Sequence, residues 1–122
     1  SFTDTALENL QKIIANKQTL FQRAFRTDST EIEITEEKIS FLWFPHTADS
    51  DEIAAYTQFI SRLCDMARDA KRVSSKPTET DNDKYAFRCF LLRLGFIGKE
   101  YKTARKILLR NLTGNSAFRS VK

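Results

Sequence analysis

The stretch that decides the fold is residues 84–120, KYAFRCFLLRLGFIGKEYKTARKILLRNLTGNSAFRS. Its first part, residues 84–94, is apolar nearly all round a helical wheel, which predicts a buried central helix. Asp81, Asn82 or Asp83 can cap the start of this helix. Gly95 then predicts a C-cap, and after Gly98 a further helix is predicted over residues 99–112, apolar on one face and basic on the other.

Upstream of this stretch the apolar period changes twice. Thr3 can cap a first helix over residues 4–25, whose apolar residues recur at helical spacing. Residues 31–44, EIEITEEKISFLWF, alternate apolar and polar side chains on either side of Glu36 and Glu37, which predicts a β-hairpin with Trp43 turned inward. After Pro45, a cap at Asp49 or Ser50 predicts a second helix over roughly residues 51–73.

The predicted fold is therefore α+β, with four helices and one β-hairpin between helices 1 and 2, and with helix 3 central and buried. We expect a single globular domain over residues 1–122 and a flexible polar loop at residues 74–83. Residues 113–122 are expected to form a partly flexible tail, with Phe118 as a candidate contact to the core.

Charge is distributed unevenly along the chain. Residues 1–83 carry ten Lys and Arg against fifteen Asp and Glu, a net −5, whereas residues 84–122 carry ten against one, a net +9. Such asymmetry indicates either an anionic partner for the basic part or an acidic face within the same fold.

Signals for catalysis, cofactors and metals are absent from the sequence. His46 is the single histidine, with no neighbour at zinc-ligand spacing, and three glycines make no phosphate-binding loop. Cys64 and Cys89 lie among apolar residues and are expected to be reduced and packed as small hydrophobic side chains. We expect no enzyme, no cofactor, no small-molecule substrate and no membrane span, and therefore a soluble, cytoplasmic protein.

The basic side of the helix over residues 99–112 is the feature that stands out. Together with the helix before it and the glycine-bounded turn, it has the outline of a helix-turn-helix. The residues expected to face nucleic acid or another partner are Lys99, Lys102, Thr103, Lys106 and Arg110. Since that side carries no Asn or Gln to read adenine, we expect contacts to phosphates rather than to bases.

Protein docking is the rival interpretation. An edge strand of the hairpin can accept another strand, and the hairpin carries the acidic residues Glu31, Glu33, Glu36 and Glu37. The simpler alternative is that these carboxylates only keep the edge from aggregating, and that a basic helix face is only solvated.

Several motifs give the chain a likeness to a known family. Residues 84–119, together with LENLQKI, KISFLWF, YTQFISRLCDMA and KRV, resemble the C-terminal domain of the "virulence-related" proteins carried on conjugative transposons of Gram-positive gut bacteria. Leu42 departs from the pattern, since such sequences often have proline there.

The resemblance implies a setting rather than a site. It implies a cytoplasmic protein of a mobile genetic element, of which this chain is the tail domain, and it carries over no catalytic residue or ligand. We therefore expect a non-enzymatic accessory domain that binds a macromolecular partner, a protein or alternatively nucleic acid.

Overall fold

The fold consists of five α-helices and a two-stranded antiparallel hairpin, seen in a computed structural model that describes residues 2–115. The elements in chain order are α1 Asp4–Asn16, α2 Gln18–Phe25, β1 Ile32–Ile34, β2 Ile39–Phe41, α3 Ser50–Asp69, α4 Asp83–Leu94, a 3₁₀ turn Lys99–Tyr101 and α5 Lys102–Leu109. The predicted α+β class and the single hairpin are confirmed, and Ile32 lies opposite Phe41 in it. In the part of the chain that the structure describes, no helix has both the length and the apolar character that a membrane crossing requires.

The predicted helix over residues 4–25 is wrong in one respect, because it is interrupted at Lys17. There the backbone turns to φ −104° and ψ 13°. The carbonyl of Asn16 accepts hydrogen bonds from the backbone N–H and the hydroxyl of Thr78, at 3.1 and 3.2 Å. The Asn16 side chain donates to the carbonyl of Lys76 at 2.7 Å. The loop predicted to be flexible thus engages the end of α1, and residues 2–115 form five α-helices rather than four.

Aromatic rings fill the core between the helices. Phe21, Phe59 and Phe87 are fully buried, and the ring centroid of Phe21 lies 5.6 Å from that of Phe59 and 6.1 Å from that of Phe87. Trp43 is 3% exposed, and its indole N–H donates to the carbonyl of Glu31 at 2.9 Å. The inward orientation predicted for Trp43 is therefore observed. It lets the short hairpin, marginal by itself, pack on the helices.

α3 packs against three other helices, α1, α4 and α5. Asp49, one of the two predicted caps, is the N-cap residue that precedes it. The prediction that the helix over residues 84–94 is buried nearly all round is wrong, since Tyr85, Cys89 and Leu92 in α4 are partly exposed. Only the face with Phe87, Phe90, Leu91 and Leu94 is buried. Apolar residues on both sides of a helix do not by themselves say that both sides are covered.

The connection from α4 to α5 uses the predicted glycines. Gly95 ends α4 at φ 105°, and Gly98 has φ 95°, both in the left-handed region that favours glycine. The helix predicted over residues 99–112 is shorter, since a 3₁₀ turn precedes α5 and α5 ends at Leu109. The predicted tail is described only as far as Asn115, so Phe118 lies outside the described residues.

Candidate functional site

The predicted basic residues lie together along one side of the 3₁₀ turn and α5. Lys99, Lys102, Thr103 and Lys106 are exposed there, and with Arg110 they form what we call the α5 face. Within residues 2–115, none of the three lysines makes an ion pair. They are not neutralised by the acidic hairpin, so three positive charges stay directed toward solvent.

Arg110 differs from the three lysines because it has a partner inside the fold. Its guanidinium donates to a carboxylate oxygen of Glu52 at 2.5 Å and lies 3.4 Å from the hydroxyl of Tyr56. A hydrogen bond from Thr47, followed by the one from Arg110, holds the pKa of Glu52 below its ordinary value. The hydrogen bond to Glu52 raises the pKa of Arg110 in return. This residue ties the end of α5 to the start of α3.

Other basic residues of this region also serve the fold. The guanidinium of Arg105 donates to the carbonyls of Phe96 and Gly98, both at 2.9 Å, and so fixes the turn before α5. From α3, Arg62 donates to the hydroxyl of Tyr101 at 2.6 Å. Some of the basic side chains after residue 84, Arg105 and Arg110, therefore hold α5 in place within the fold and are not free to bind a partner.

A second candidate surface lies between the hairpin, α1 and α3. We call it the hairpin groove, a depression of about 510 Å³. Its apolar lining includes Leu7 of α1, Phe41 of β2 and Ile60 of α3. Ile34 of β1 also lines it and is 47% exposed.

Charged residues surround the hairpin groove unequally. The carboxylates at its rim are Asp4, Glu36 and Glu37, and the cations are Lys38 and Arg68. Arg68 is already engaged, since it pairs with Asp65 at 3.1 Å and stacks over the ring of Phe2 at 4.6 Å. The remaining rim is therefore acidic around an apolar floor.

The hairpin groove also contains one of the two cysteines. Burial raises the pKa of the Cys64 thiol above its ordinary value. Both cysteines are unpaired and half-buried, rather than packed fully inside. His46 is exposed in the loop before α3, and within residues 2–115 no cluster of His, Cys, Asp and Glu is arranged to hold a metal ion.

Sequence reasoning missed the groove, although a signal for it was present. Ile53, Ile60 and Cys64 form a second apolar row on α3, offset from the row with Phe59 and Leu63 that faces the core. An apolar stripe that is wider than one packed neighbour can cover indicates that the helix contacts a second partner. Ile60 and Cys64 of this row line the hairpin groove, whereas Ile53 does not.

The comparisons with known proteins add no relative, because no family model, no curated protein and no solved structure matches the chain. The likeness to the "virulence-related" proteins therefore rests on the sequence motifs alone.

Proposed function

We propose that this chain is a non-enzymatic, cytoplasmic accessory domain of a mobile genetic element and that it docks a protein partner in the hairpin groove. The observation that carries the proposal is the groove itself, an apolar floor left open between three elements and bordered by carboxylates. Exposed apolar surface rimmed by charge is typical of protein interaction sites. The partner segment that fits is short and amphipathic, with apolar side chains for the floor and Lys or Arg for the rim.

Selection from a display library of random 12-residue peptides tests this proposal. We expect the selected peptides to combine apolar residues with Lys or Arg, and to bind with an affinity that falls as salt is added. Ile34→Ser should weaken binding about tenfold, since one buried apolar side chain contributes about that much to binding. Ile97→Ser is the matched control, because Ile97 is 62% exposed and does not line the groove.

Charge reversal at the rim is the second part of the test. The double variant Glu36→Lys with Glu37→Lys should abolish binding of basic peptides. Glu33→Lys should leave it nearly unchanged, because Glu33 belongs to the same hairpin but not to the groove. Peptides that bind all of these variants equally, or a selection that enriches nothing, would rule out docking in the groove.

A second candidate function, nucleic-acid binding, is favoured by the α5 face. Lys99, Lys102 and Lys106 are exposed and without ion pairs in the described part of the chain, as phosphate contacts require. α4 is also partly exposed, so it has surface available to lie across a DNA backbone, as the first helix of a helix-turn-helix does. Three phosphate contacts predict that affinity for duplex DNA falls about 40-fold between 50 and 200 mM salt, from a logarithmic slope of about −2.7.

An NMR titration with duplex and then single-stranded DNA tests the α5 face. We expect amide shifts over residues 99–110 that fade with salt and disappear in the double variant Lys102→Glu with Lys106→Glu. Lys71→Glu is the control, an exposed lysine elsewhere. Unchanged spectra with both DNAs at low salt would exclude this second function and leave protein docking.

A further inference from the structure

A pocket distinct from both surfaces lies at the break between α1 and α2. It has a volume of about 270 Å³ and is bounded by the end of α1, the end of α3 and α4. Its apolar walls come from Ile13, Met66, Val73 and Phe90. Three cations also line it, namely Lys17, Arg72 and Arg93, whereas no Asp or Glu does.

Two of these cations lie over one aromatic ring. The ammonium of Lys17 is 5.7 Å from the centroid of Phe90, and the guanidinium carbon of Arg93 is 5.4 Å from the same centroid. Within residues 2–115, neither these two nor Arg72 forms an ion pair. The face of an aromatic ring attracts a cation, but it neutralises no charge.

Burial and the neighbouring guanidinium make Lys17 costly to keep charged. Burial, followed by repulsion from Arg93, lowers the pKa of Lys17 below its ordinary value. Partly buried charges are normally paired, since loss of water disfavours the charged form. An anion bound in the pocket would offset the repulsion between Lys17 and Arg93 and would give Lys17 an ion-pair partner.

The backbone holds Lys17 in this place. The hydrogen bonds that Asn16 makes with Lys76 and Thr78 interrupt the helix just before Lys17. The same interaction brings the loop after α3, with Ser74 and its hydroxyl, to the edge of the pocket. The break that ends α1 therefore also shapes the pocket.

Carboxylates occur only beyond the walls of the pocket. Two neighbouring depressions, one past Arg93 and one past Lys17, contain the acidic residues Asp65, Asp69, Glu79 and Asp83. Of these, Asp65 pairs with Arg68 and Asp83 pairs with Arg23. Asp69 and Glu79 make no ion pair among the described residues, and none of the four carboxylates lines the pocket itself.

We propose that this pocket binds a small organic anion, with one phosphate or carboxylate group held by the cations and a short apolar or aromatic part against Met66 and Val73. Ligand pockets in proteins commonly measure about 300 to 1,000 Å³. A volume near 270 Å³ lies at the lower end of this range and suits a single ring or a branched chain. The site is independent of docking in the hairpin groove and of the α5 face.

Phenyl phosphate is a suitable probe, with inorganic phosphate and phenol as its two halves. In NMR titrations at low salt, we expect saturable shifts at the Arg93 side chain and at the amides of Val73 and Phe90. Phenyl phosphate should bind about tenfold more tightly than either half, since the pocket offers contacts to both. In the unaltered protein, bound phenyl phosphate should also raise the pKa of Lys17.

Variants separate this pocket from general attraction of anions to a basic protein. Lys17→Gln and Arg93→Gln should each weaken phenyl phosphate binding about tenfold, the effect of losing one charge-assisted contact. Lys71→Gln, close in sequence to the pocket residue Arg72 but outside the pocket, should not. An equal loss in all three variants, shifts located on the α5 face, or a Lys17 pKa that does not rise on adding phenyl phosphate would overturn the proposal.

Discussion

Asn9, a polar residue on the buried side of α1, offers a direct test of how α1 and α3 are joined. Its side chain is 8% exposed, and its amide donates to the carbonyls of Ala67 and Ala70, both at 3.1 Å. The last four carbonyls of a helix have no partner within it, and Asn9 supplies one at the end of α3. Asn9→Ala removes both hydrogen bonds and leaves the Ala67 carbonyl buried without this donor.

The magnitude follows from these two contacts. Each hydrogen bond contributes about 1 kcal/mol to the free energy of unfolding, and an unpaired buried carbonyl costs somewhat more. The higher helix propensity of alanine offsets about 0.5 kcal/mol of this loss. We expect Asn9→Ala to lower the free energy of unfolding by about 2 kcal/mol. Urea denaturation followed by the fluorescence of Trp43, the single tryptophan, measures it.

A change of charge at the same position sharpens the test. In Asn9→Asp, a carboxylate would face two carbonyl oxygens, so its folded-state pKa should rise above the unfolded value of about 3.9. The native state then binds more protons than the unfolded state, and stability falls as pH rises from about 4 through the raised pKa. Urea denaturation should therefore show that Asn9→Asp lowers the free energy of unfolding, relative to the unaltered protein, by more at pH 7.5 than at pH 4.

The control is Gln11→Ala, because Gln11 is an exposed amide residue in the same helix. It should change the free energy of unfolding by less than about 0.5 kcal/mol, as is usual for surface positions. The reasoning about Asn9 is refuted if Asn9→Ala costs no more than Gln11→Ala, or if the loss in Asn9→Asp is the same at both pH values.

Three further predictions concern other parts of the fold. Gly98→Ala should lower stability more than Gly95→Ala in urea denaturation, because φ 95° and ψ 175° at Gly98 lie in a region nearly restricted to glycine, whereas Gly95, at φ 105° and ψ 11°, is left-handed helical and its new Cβ would meet only the end of the Arg62 side chain; equal losses would contradict this. Hydrogen bonds from a threonine hydroxyl and from Arg110 lower the pKa of Glu52. The stabilisation that the Glu52 carboxylate gives the folded protein is therefore present above the unfolded pKa of about 4.3 and is lost as pH falls through the lower folded pKa. Arg110→Gln should therefore lose less stability than the unaltered protein on acidification below pH 4.5, measured by thermal melts. The raised pKa of Cys64 predicts that iodoacetamide at pH 8 labels it more slowly in the folded protein than in urea, followed by peptide mass spectrometry; equal rates would disprove this.

Local signals in the sequence predicted the order of elements well. The period-two pattern ending at Trp43 predicted the hairpin and its inward ring, and Asp49 and Gly95 predicted the two helix ends at which they lie. Each of these signals depends on residues within a turn or two of one another. The side-chain pattern, the capping residue and the backbone conformation then favour the same local structure, and contacts with distant parts of the chain are not needed to form it.

Part of the candidate site could also be predicted from the sequence. The spacing of Lys99, Lys102 and Lys106 placed them on one side of a helix, and the structure leaves them exposed. Spacing could not show that Arg110 meets Glu52, because the two residues are 58 positions apart and meet only when α5 packs on α3. The second apolar row of α3 indicated a further contact, but the hairpin groove itself could not be located from it, since the groove exists only between three packed elements.

What the sequence determined by itself is the order of the helical segments and the hairpin and the position of several of their ends, because helical period, strand alternation and capping residues act between near neighbours. Tertiary structure decided where α1 ends, since Thr78 reaches the carbonyl of Asn16 from 62 residues away. It also decided that part of α4 stays exposed and that Lys17 and Arg93 meet over Phe90. Hydrogen bonds and burial between distant segments depend on how the helices pack, and no local pattern encodes that packing.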